Sequence, residues 1–498
     1  MSTTKNNIPV ILSTGQSIIR FGIFKPLDLI LEATQRAIDS AHGIEDYLDE
    51  LIVVNVLGKV GSHPASLIIN KIGLNNVKPY TTTIGGNTPQ MLVNILSNKI
   101  ANGEIKAAVI TGGEAMRSSK ERRALETQTS DSIFDSLVLD QEADQIIGSD
   151  KMGVSEHEIA AGLISPVHVY PLFESAIAHE NNRTMEEQRM FISKLFSPFT
   201  QIASENEFSW FKDIISPDEL YEISPTNRLI AEPYTKRHCA FLGSDQGAAI
   251  ILASYEVAEK LGLSSQSIFV HSGADLNDTW FTSTRPQLGH SPAIKECVQR
   301  TLELGDINVD NINFFDLYSC FPSAVELALD GIGIDSEDRR PLSVTGGLPY
   351  FGGPGNNYTT HSIASMHSTL LAKSGFGLVS GLGWYATKHS YGLYGSEPPK
   401  NGFRLADTSK KQLEFDNKAV QVRSAQEIEN ITYGTVLASS VSYNPLGEVS
   451  MAPAIIELED KTRIVANANS SMFKDLSGKN LVSQKVVINK EPLTYEII

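Results

Sequence analysis

Cysteine and long apolar runs are both scarce in this sequence, and each scarcity excludes a class of protein. Cys239, Cys297 and Cys320 are the only cysteines among 498 residues, too few and too scattered for a disulfide framework or a zinc site. No apolar run reaches about 18 residues, so no membrane span is expected. Residues 1–10 have neither the charge nor the apolar stretch of a signal peptide. The sequence therefore predicts a cytoplasmic protein without a metal site.

Basic residues are also in short supply. Lysine and arginine number 41 against 58 aspartates and glutamates, which gives a net charge of -17. A protein that binds nucleic acid needs a basic face to displace counterions from phosphates, so no nucleic-acid partner is expected. The 41% hydrophobic and 20% charged residues are ordinary for a folded chain and exclude wholesale disorder.

Helical and strand patterns alternate along the first hundred residues. Residues 26–42 have apolar side chains at helical spacing, whereas 51–56 and 107–110 are short apolar runs typical of buried strands. This alternation predicts an α/β fold with a parallel sheet that helices cover on both faces.

The order of elements then repeats in the second half of the chain. In each half a helix, a strand, a glycine-rich turn, a long helix and a strand follow one another, with the turns at residues 85–90 and 346–357. Three domains are predicted: residues 1–270 with a helical and irregular insertion at about 125–225, residues 271–402, and a small all-β domain, of which a barrel is one form, at 403–498.

Five sequence blocks then point to a family. They are TIGGNTPQMLVN at 83–94, AAVITGGE at 107–114, DQGAA at 245–249, DLYSCFPS at 316–323 and VTGGLPYFGGPGNN at 344–357. In order and separation these blocks resemble the thiolase superfamily over about residues 7–400. The resemblance is nearest to the sterol-carrier-protein-type thiolases, which are acetyl-CoA acetyltransferase-like, and to their relatives with an extra C-terminal β domain.

The resemblance implies a layered αβαβα core of two repeated halves that forms a homodimer through the sheet of its N-terminal half. It also implies a role in lipid metabolism with acyl-CoA as the substrate or ligand, and no cofactor beyond that CoA. Thiolases use a cysteine nucleophile at a helix start, a histidine base in a Gly-His-Pro turn, and a second cysteine.

This sequence departs from that set at several positions. Gly85 stands where the nucleophilic cysteine belongs, and Gly353 replaces the histidine of the Gly-His-Pro turn. The His-Asp-Cys-Phe motif becomes residues 318–321, in which Cys320 is kept and Tyr318 takes the place of the histidine. The late Cys-x-Gly motif falls at 379–381 without a cysteine. The usual thiolase mechanism is therefore not expected.

Three side chains are candidates for remaining chemistry. Cys320 is a candidate thiol or an inert buried cysteine, His361 a replacement base or a structural histidine, and Tyr318 a hydrogen-bond donor or a packed aromatic ring. His168 is a weaker candidate to face the same pocket from the insertion.

Backbone N–H groups are candidates for binding a substrate oxygen. The helix start at Gly85, Gly86 and Asn87 suits an oxyanion or a phosphate, although a tight turn also needs glycine. The second glycine-rich loop offers Gly346, Gly347 and Gly353 with the same ambiguity. Lys236 and Arg237 are weak candidates to meet a CoA phosphate.

Two functions of different classes follow. One is a divergent acyl-CoA acyltransferase or C–C-bond enzyme with thiol chemistry at Cys320, and the persistence of that cysteine favours it. The alternative is a non-catalytic acyl-CoA or lipid binder, or a partner subunit, on a thiolase scaffold. Neither glycine-rich loop has a Walker or dinucleotide fingerprint, which excludes nucleotide hydrolysis and nicotinamide chemistry.

Overall fold

Strands of two kinds, long core strands and short peripheral ones, run through the whole chain. The structure is a computed structural model that describes residues 7–58, 60–61, 63–126, 144–428 and 432–498. The strands are β1 (Pro9–Ile18), β2 (Leu48–Val53), β3 (Lys78–Thr82), β4 (Ala107–Ala115), β5 (Gln145–Ile147), β6 (Leu229–Ala231), β7 (Tyr234–Thr235), β8 (Asp245–Ser254), β9 (Ile268–Asn277), β10 (Phe314–Asp316), β11 (Phe376–Gly383), β12 (Lys388–Gly395), β13 (Arg404–Leu405), β14 (Tyr433–Ser439), β15 (Ser442–Tyr443), β16 (Val449–Met451), β17 (Pro453–Leu458), β18 (Arg463–Ala468), β19 (Lys485–Lys490) and β20 (Leu493–Ile497).

Helices alternate with these strands in both halves of the core. They are α1 (Pro26–Asp39), α2 (Pro64–Ile72), α3 (Thr88–Ala101), α4 (Met116–Glu126), α5 (Glu156–Ala160), α6 (Pro166–Glu180), α7 (Met185–Glu205), α8 (Pro217–Tyr221), α9 (Tyr255–Lys260), α10 (Pro292–Gly305), α11 (Pro322–Ile332), α12 (Leu348–Phe351), α13 (Tyr358–Lys373), α14 (Ser409–Asp416) and α15 (Phe473–Leu476). The mixed α/β core with a small β region at its C-terminal end confirms the predicted fold class.

One large sheet organises the core. Among the described residues its eleven strands run in the order β10-β11-β12-β9-β1-β8-β4-β2-β3-β5, with β13 pairing on β9. Pairing is parallel at the two ends and antiparallel through the middle, from β11 to β4. The prediction of a parallel sheet is therefore wrong for the middle, because a strand buried on both faces shows the same apolar run whichever way its neighbours point.

Two helices lie between the halves of this sheet. Helix α3 contacts β8, β9, β11 and β12, and α13 contacts β1, β8 and β11. Because α3 is enclosed on most sides, even its polar residues are buried and need partners. Gln90 accepts a hydrogen bond from the Tyr394 hydroxyl at 2.7 Å, and Asn94 donates to Asp275 at 3.1 Å. The helix start at Asn87 is thereby fixed in the middle of the molecule.

The predicted insertion at about 125–225 contains helices α5 to α8. Its residues 127–143 lie outside the described residues. Helices α6 and α7 bury Phe173, Phe196 and Phe199 in the same apolar cluster as Phe321 of the strand-end motif. The insertion therefore packs directly on the residues that the sequence singled out.

The outer edge of the N-terminal half is occupied from within the chain. Strand β5 pairs parallel with β3, with Tyr80 opposite Gln145 and Thr82 opposite Ile147. Over residues 80–82, the backbone N–H and C=O groups on the outer side of β3 are therefore already paired with β5.

A closed barrel of β14, β17, β18, β20 and β19 forms the C-terminal region. Arg463 of β18, 4% exposed, reaches out of the barrel and donates to the carbonyl oxygens of Ser283, at 3.0 Å, and Arg285, at 2.5 Å. Residues 419–422 lie in the region predicted to be all-β but form no strand, and Val422 makes an isolated bridge with Arg463.

Residues just past 403 were expected to be all-β, yet α14 is a helix and β13 still pairs with the main sheet. The domain boundaries themselves stay predictions. No described helix is long and apolar enough to cross a membrane.

Candidate functional site

Gly86 is the glycine that faces the strand-end motif. A Cβ placed on Gly86 would lie 2.2 Å from the Tyr318 hydroxyl and 2.6 Å from the Leu382 carbonyl oxygen. Both distances are far inside van der Waals contact, so the Tyr318 hydroxyl fills the space that a side chain at 86 would need.

A side chain on Gly85 would point away from the strand-end motif. A Cβ there would meet Asn87 Oδ1 at 2.5 Å and approach the Lys388 side chain at 3.6 Å. The Gly85 N–H donates to Asn356 Oδ1 at 3.0 Å, so this predicted oxyanion donor is already paired. Gly85 and Gly86 of the predicted helix-start site therefore face different sides of the amino end of α3.

Tyr318 is held firmly in its position. Its N–H donates to Ser380 Oγ at 2.8 Å, and its ring meets that of Tyr358 edge-on at 5.5 Å. Burial raises the pKa of Tyr318 above the ordinary value of 10, so its hydroxyl is neutral and suits hydrogen bonding rather than proton abstraction.

Cys320 lies two residues further on and is 8% exposed. Burial raises the pKa of its thiol to about 12, although a hydrogen bond with the Tyr170 hydroxyl opposes the shift. Tyr170 comes from α6 of the insertion, about 150 residues away in sequence, and nothing in the sequence indicated this contact. Cys239, whose thiol pKa burial also raises to about 12, is electrostatically coupled to Cys320. Both thiols are consequently protonated near neutral pH.

His361 lies apart from this motif. Its Nδ1 is 2.7 Å from Gln16 Oε1, and its ring packs against Phe351 at 5.1 Å. Its Nε2 is buried without a partner among the described residues, and burial lowers the pKa of His361 to about 3. The ring is therefore a neutral group of the core, and none of these contacts joins it to Cys320.

His168 also lies elsewhere. Its Nδ1 is 2.9 Å from the Ser442 hydroxyl in β15, which belongs to the C-terminal part of the chain. Burial lowers the pKa of His168, so this ring is neutral as well.

The second glycine-rich loop is packed rather than open. A Cβ on Gly346, whose φ is +107°, would lie 2.6 Å from the backbone of Ala203 in α7, and one on Gly347, at φ +77°, would meet Phe199 at 2.7 Å. Their N–H groups donate to Ser343 Oγ and Thr345 Oγ1 at 2.9 and 3.2 Å. The close approach of α7 thus accounts for both glycines.

Gly353, where the family places its base, has more room. The nearest atoms to a Cβ there are the Phe241 carbonyl oxygen at 3.3 Å and Leu242 Cδ2 at 3.4 Å. Its N–H donates to Phe241 O at 2.8 Å. Nearby, Lys236 is exposed and Arg237 is half-buried, and a CoA phosphate at these two residues stays a prediction.

A buried acid pair lies just beyond the motif, on α6 and α11. The Tyr234 hydroxyl donates to Glu174 at 2.6 Å and lies 2.8 Å from the Ser323 hydroxyl, and Gln188 Nε2 donates to Glu326 at 3.0 Å. Burial raises the pKa of both Glu174 and Glu326, and the proximity of Glu174 raises that of Glu326 further. The pair therefore holds a proton at a pH where exposed glutamates have lost theirs.

On the Gly85 side of α3 there is a cavity of about 340 Å³ that the sequence did not indicate. Its wall includes Asn87, Thr88, Asp275, Trp280 and Lys388. Lys388 and Asp275 lie on β12 and β9, neither of which has a catalytic motif. No cluster of potential metal ligands occurs among the residues that the structure describes.

Comparisons with known proteins agree with this architecture. Neither a protein-family model nor a curated protein matches the sequence. Among solved structures, a monomeric SCP2-thiolase-like protein type 1 from Mycobacterium smegmatis is 27% identical, with 99% of each chain covered and a TM-score of 0.82. An Ltp2–ChsH2(DUF35) aldolase is 17% identical, with a TM-score of 0.60 over 79% of this chain and 98% of that one. An acetyl-CoA acetyltransferase from Syntrophomonas wolfei is 17% identical, with a TM-score of 0.57 over 79% of this chain and all of that one.

Proposed function

We propose that this chain, which is similar over its whole length to an SCP2-thiolase-like protein, binds an acyl-CoA or related lipid thioester without transferring the acyl group. The observation that carries the proposal is the closed helix start. Gly85 stands where the resemblance places the nucleophile, and a Cβ on it would lie 2.5 Å from Asn87 Oδ1, while one on the adjacent Gly86 would lie 2.2 Å from the Tyr318 hydroxyl. A cysteine nucleophile has no room there in this packing.

The remaining thiol is not activated for acyl transfer. With a pKa of about 12, Cys320 is roughly one part in 10⁴ to 10⁵ thiolate near neutral pH. Acyl transfer requires the thiolate, and a histidine or a helix start normally supplies its activation. Tyr170, the hydrogen-bond partner, has its own pKa raised well above 10 by burial and is not a base under these conditions.

The choice of ligand rests on the family relationship. Acyl-CoA is the ligand implied by the thiolase resemblance, and Lys236 and Arg237 are the candidates to meet its phosphates. No further cofactor is proposed. We place the protein in the cytoplasm on the strength of its few, unpaired cysteines.

We further propose that the protein is a monomer. The homodimer expected from the resemblance pairs through the sheet of the N-terminal half, and β5 of the same chain already covers β3 there. The SCP2-thiolase-like neighbour is itself described as monomeric.

A second candidate function keeps Cys320 as a reactive group in an acyltransferase or a C–C-bond enzyme. One observation favours it: the thiol stays on the strand-end motif and is hydrogen-bonded to a hydroxyl from the insertion. An aldolase among the structural neighbours makes C–C cleavage worth including in the assay.

Intact-mass spectrometry and calorimetry separate the two candidates. Wild type, Cys320→Ser and Cys297→Ser are incubated with acyl-CoAs of increasing chain length, and products are followed for acyl transfer and C–C cleavage. Cys297 is a matched control because it is fully buried in α10, away from the motif. We expect heat of binding for at least one acyl-CoA, with neither a mass adduct nor turnover.

An adduct that Cys320→Ser abolishes and Cys297→Ser preserves establishes the second candidate instead. If no acyl-CoA binds to the wild type at all, the binding proposal is refuted.

A further inference from the structure

The cavity beside Gly85 contains a buried lysine with no carboxylate partner. Lys388 is 9% exposed, and its Nζ donates to the Ile84 carbonyl oxygen at 2.9 Å. No described carboxylate lies within 4 Å of this ammonium group, whereas buried charges in folded proteins are normally paired. The burial accordingly lowers the pKa of Lys388. An anion in the cavity would supply the counter-charge that the chain itself does not.

The amino end of helix α3 is a second source of positive potential beside Lys388. Helix α3 begins there, has no side-chain cap on its N-terminal N–H groups, and has no acidic residue in its first turn. In this first turn the N–H of Thr88 donates to the Gly85 carbonyl oxygen at 3.0 Å and residue 89 is proline, so this 14-residue helix attracts an anion mainly through its dipole. The hydroxyls of Thr83, Thr88 and Ser149 also belong to residues on this wall.

An indole ring forms the apolar side of the cavity. Trp280 is fixed by a hydrogen bond from its Nε1 to the Met152 carbonyl oxygen at 2.6 Å. Two lysines approach its ring: Lys151 Nζ lies 4.5 Å from the ring centroid and Lys388 Nζ lies 5.8 Å from it. Such a ring suits the carbon skeleton of a small ligand whose charged end is held by the lysine.

The one carboxyl group of the cavity does not contradict an anionic ligand. Asp275 is held by the Asn94 amide at 3.1 Å, and burial raises its pKa to about 7, so near neutral pH much of it is protonated. In that form it adds a hydrogen-bond donor rather than a repelling charge. His389, the other titratable group of the wall, has its pKa lowered to about 3 by burial and is neutral.

We propose that this cavity binds a small metabolite through an oxyanion, a carboxylate or a phosphate group, held between Lys388 and the amino end of α3, with Trp280 against its apolar part. At about 340 Å³ the cavity is at the small end of ligand sites, so the ligand is a small molecule and not a whole acyl-CoA. The site shares Asn87 with the predicted helix-start site but uses none of the residues around Cys320 and neither Lys236 nor Arg237, so acyl-CoA binding is tested separately from it.

Calorimetry on the full chain tests this site with three probes: butyrate, inorganic phosphate, and butyramide as the uncharged match for butyrate. We expect one or both anions to bind at one site per chain, and butyramide to bind at least tenfold more weakly. Binding of butyrate alone assigns a carboxylate ligand, and binding of phosphate alone assigns a phosphorylated one. If neither anion binds, the proposal is refuted.

Variants then locate the binding. Lys388→Met keeps the stem of the side chain and removes its charge, and we expect it to weaken anion binding roughly 10- to 100-fold, the usual range for loss of a hydrogen bond to a charged group. Lys260→Met is the matched control, since Lys260 is exposed on α9 and pairs only with Glu256 one turn earlier. Equal anion affinity in Lys388→Met and wild type overturns the assignment.

A fluorescence measurement covers the case in which Lys388→Met does not fold. Anion binding should change the tryptophan emission of the wild type, and Trp280→Phe should lose that change while keeping its calorimetric affinity within a few-fold. An emission change that persists in Trp280→Phe means that the anion binds elsewhere.

Discussion

Adding a side chain at Gly86, next to the predicted nucleophile position at Gly85, should destabilise the protein, and the contact responsible should be the one with Tyr318. The perturbation is Gly86→Ala, the smallest change that adds a Cβ. That atom would lie 2.2 Å from the Tyr318 hydroxyl and 2.6 Å from the Leu382 carbonyl oxygen, whereas ordinary contacts begin near 3.4 Å. One neighbour is a side chain that can shift, and the other is backbone that moves only with its strand.

The expected cost follows from these contacts. Overpacking a filled core typically costs about 1–3 kcal/mol, and replacing glycine by alanine returns about 0.4–1 kcal/mol through the unfolded chain. The free energy of unfolding should therefore fall by about 1–2 kcal/mol. For 498 residues this corresponds to a melting temperature lower by about 1–2 °C, since the unfolding entropy is roughly 2 cal/mol/K per residue.

A double-mutant cycle identifies the responsible contact. Tyr318→Ala alone removes a buried ring and should cost about 3–5 kcal/mol. In the combined variant Gly86→Ala/Tyr318→Ala the hydroxyl is gone, so the total loss should be about 1 kcal/mol or more below the sum of the single losses. The measurement is urea-induced unfolding followed by tryptophan fluorescence and by circular dichroism.

Gly353→Ala is the control for the cycle, because its added Cβ would stand 3.3 Å or more from every neighbour. We expect its free energy of unfolding to stay within about 0.5 kcal/mol of the wild-type value. The reasoning fails if Gly86→Ala is as stable as Gly353→Ala, or if the two changes in the combined variant are simply additive.

Three further predictions concern the acid pair, the thiol and the assembly. Burial raises the folded-state pKa of Glu326 above its ordinary 4.5, so stability should fall as pH rises from about 4.5 toward the folded-state value. Glu326→Gln should show a smaller fall between pH 5 and pH 8 by thermal denaturation, and an unchanged pH dependence contradicts this assignment. Cys320 should react with iodoacetamide at pH 7.5 only after unfolding, as mass spectrometry of tryptic peptides would show, whereas alkylation of the native protein would mean an accessible thiolate. Sedimentation velocity should give a single species near 54.3 kDa, and a species of twice that mass would show that β5 does not protect the edge of β3.

Part of the fold was predictable because its signal is local. Helix α1 and strands β2 and β4 overlap the segments at 26–42, 51–56 and 107–110 that periodicity indicated. Strand β12 gave no such signal: its sequence KHSYGLYG has no β-branched run, and α3 lies against its Gly392. A Cβ on Gly392 would meet Gln90 Nε2 at 2.0 Å, so this strand depends on a contact about 300 residues distant in sequence.

The candidate site, too, was predictable only in part. The motif residues Tyr318 and Gly86 were predicted to act at one site, and the structure brings them into contact, because motif order reflects the fold. His361 was a candidate for either a replacement base or a structural histidine from its place near the start of a helix, and its Nδ1 lies 2.7 Å from Gln16 Oε1. The contact of Tyr170 with Cys320 and the cavity around Lys388 depend on tertiary packing that no local pattern encodes.

The anchoring of Arg463 has a consequence for how the molecule melts. The buried guanidinium of Arg463, in the barrel, donates hydrogen bonds to carbonyl oxygens of the core loop at Ser283 and Arg285. If either part unfolded alone, polar groups of the other part would lose their hydrogen-bond partners. Calorimetric scans should therefore show one cooperative endotherm, with a van't Hoff enthalpy close to the calorimetric enthalpy, rather than two separate peaks. In thermodynamic terms the barrel is not an independent module but part of the same folding unit as the core.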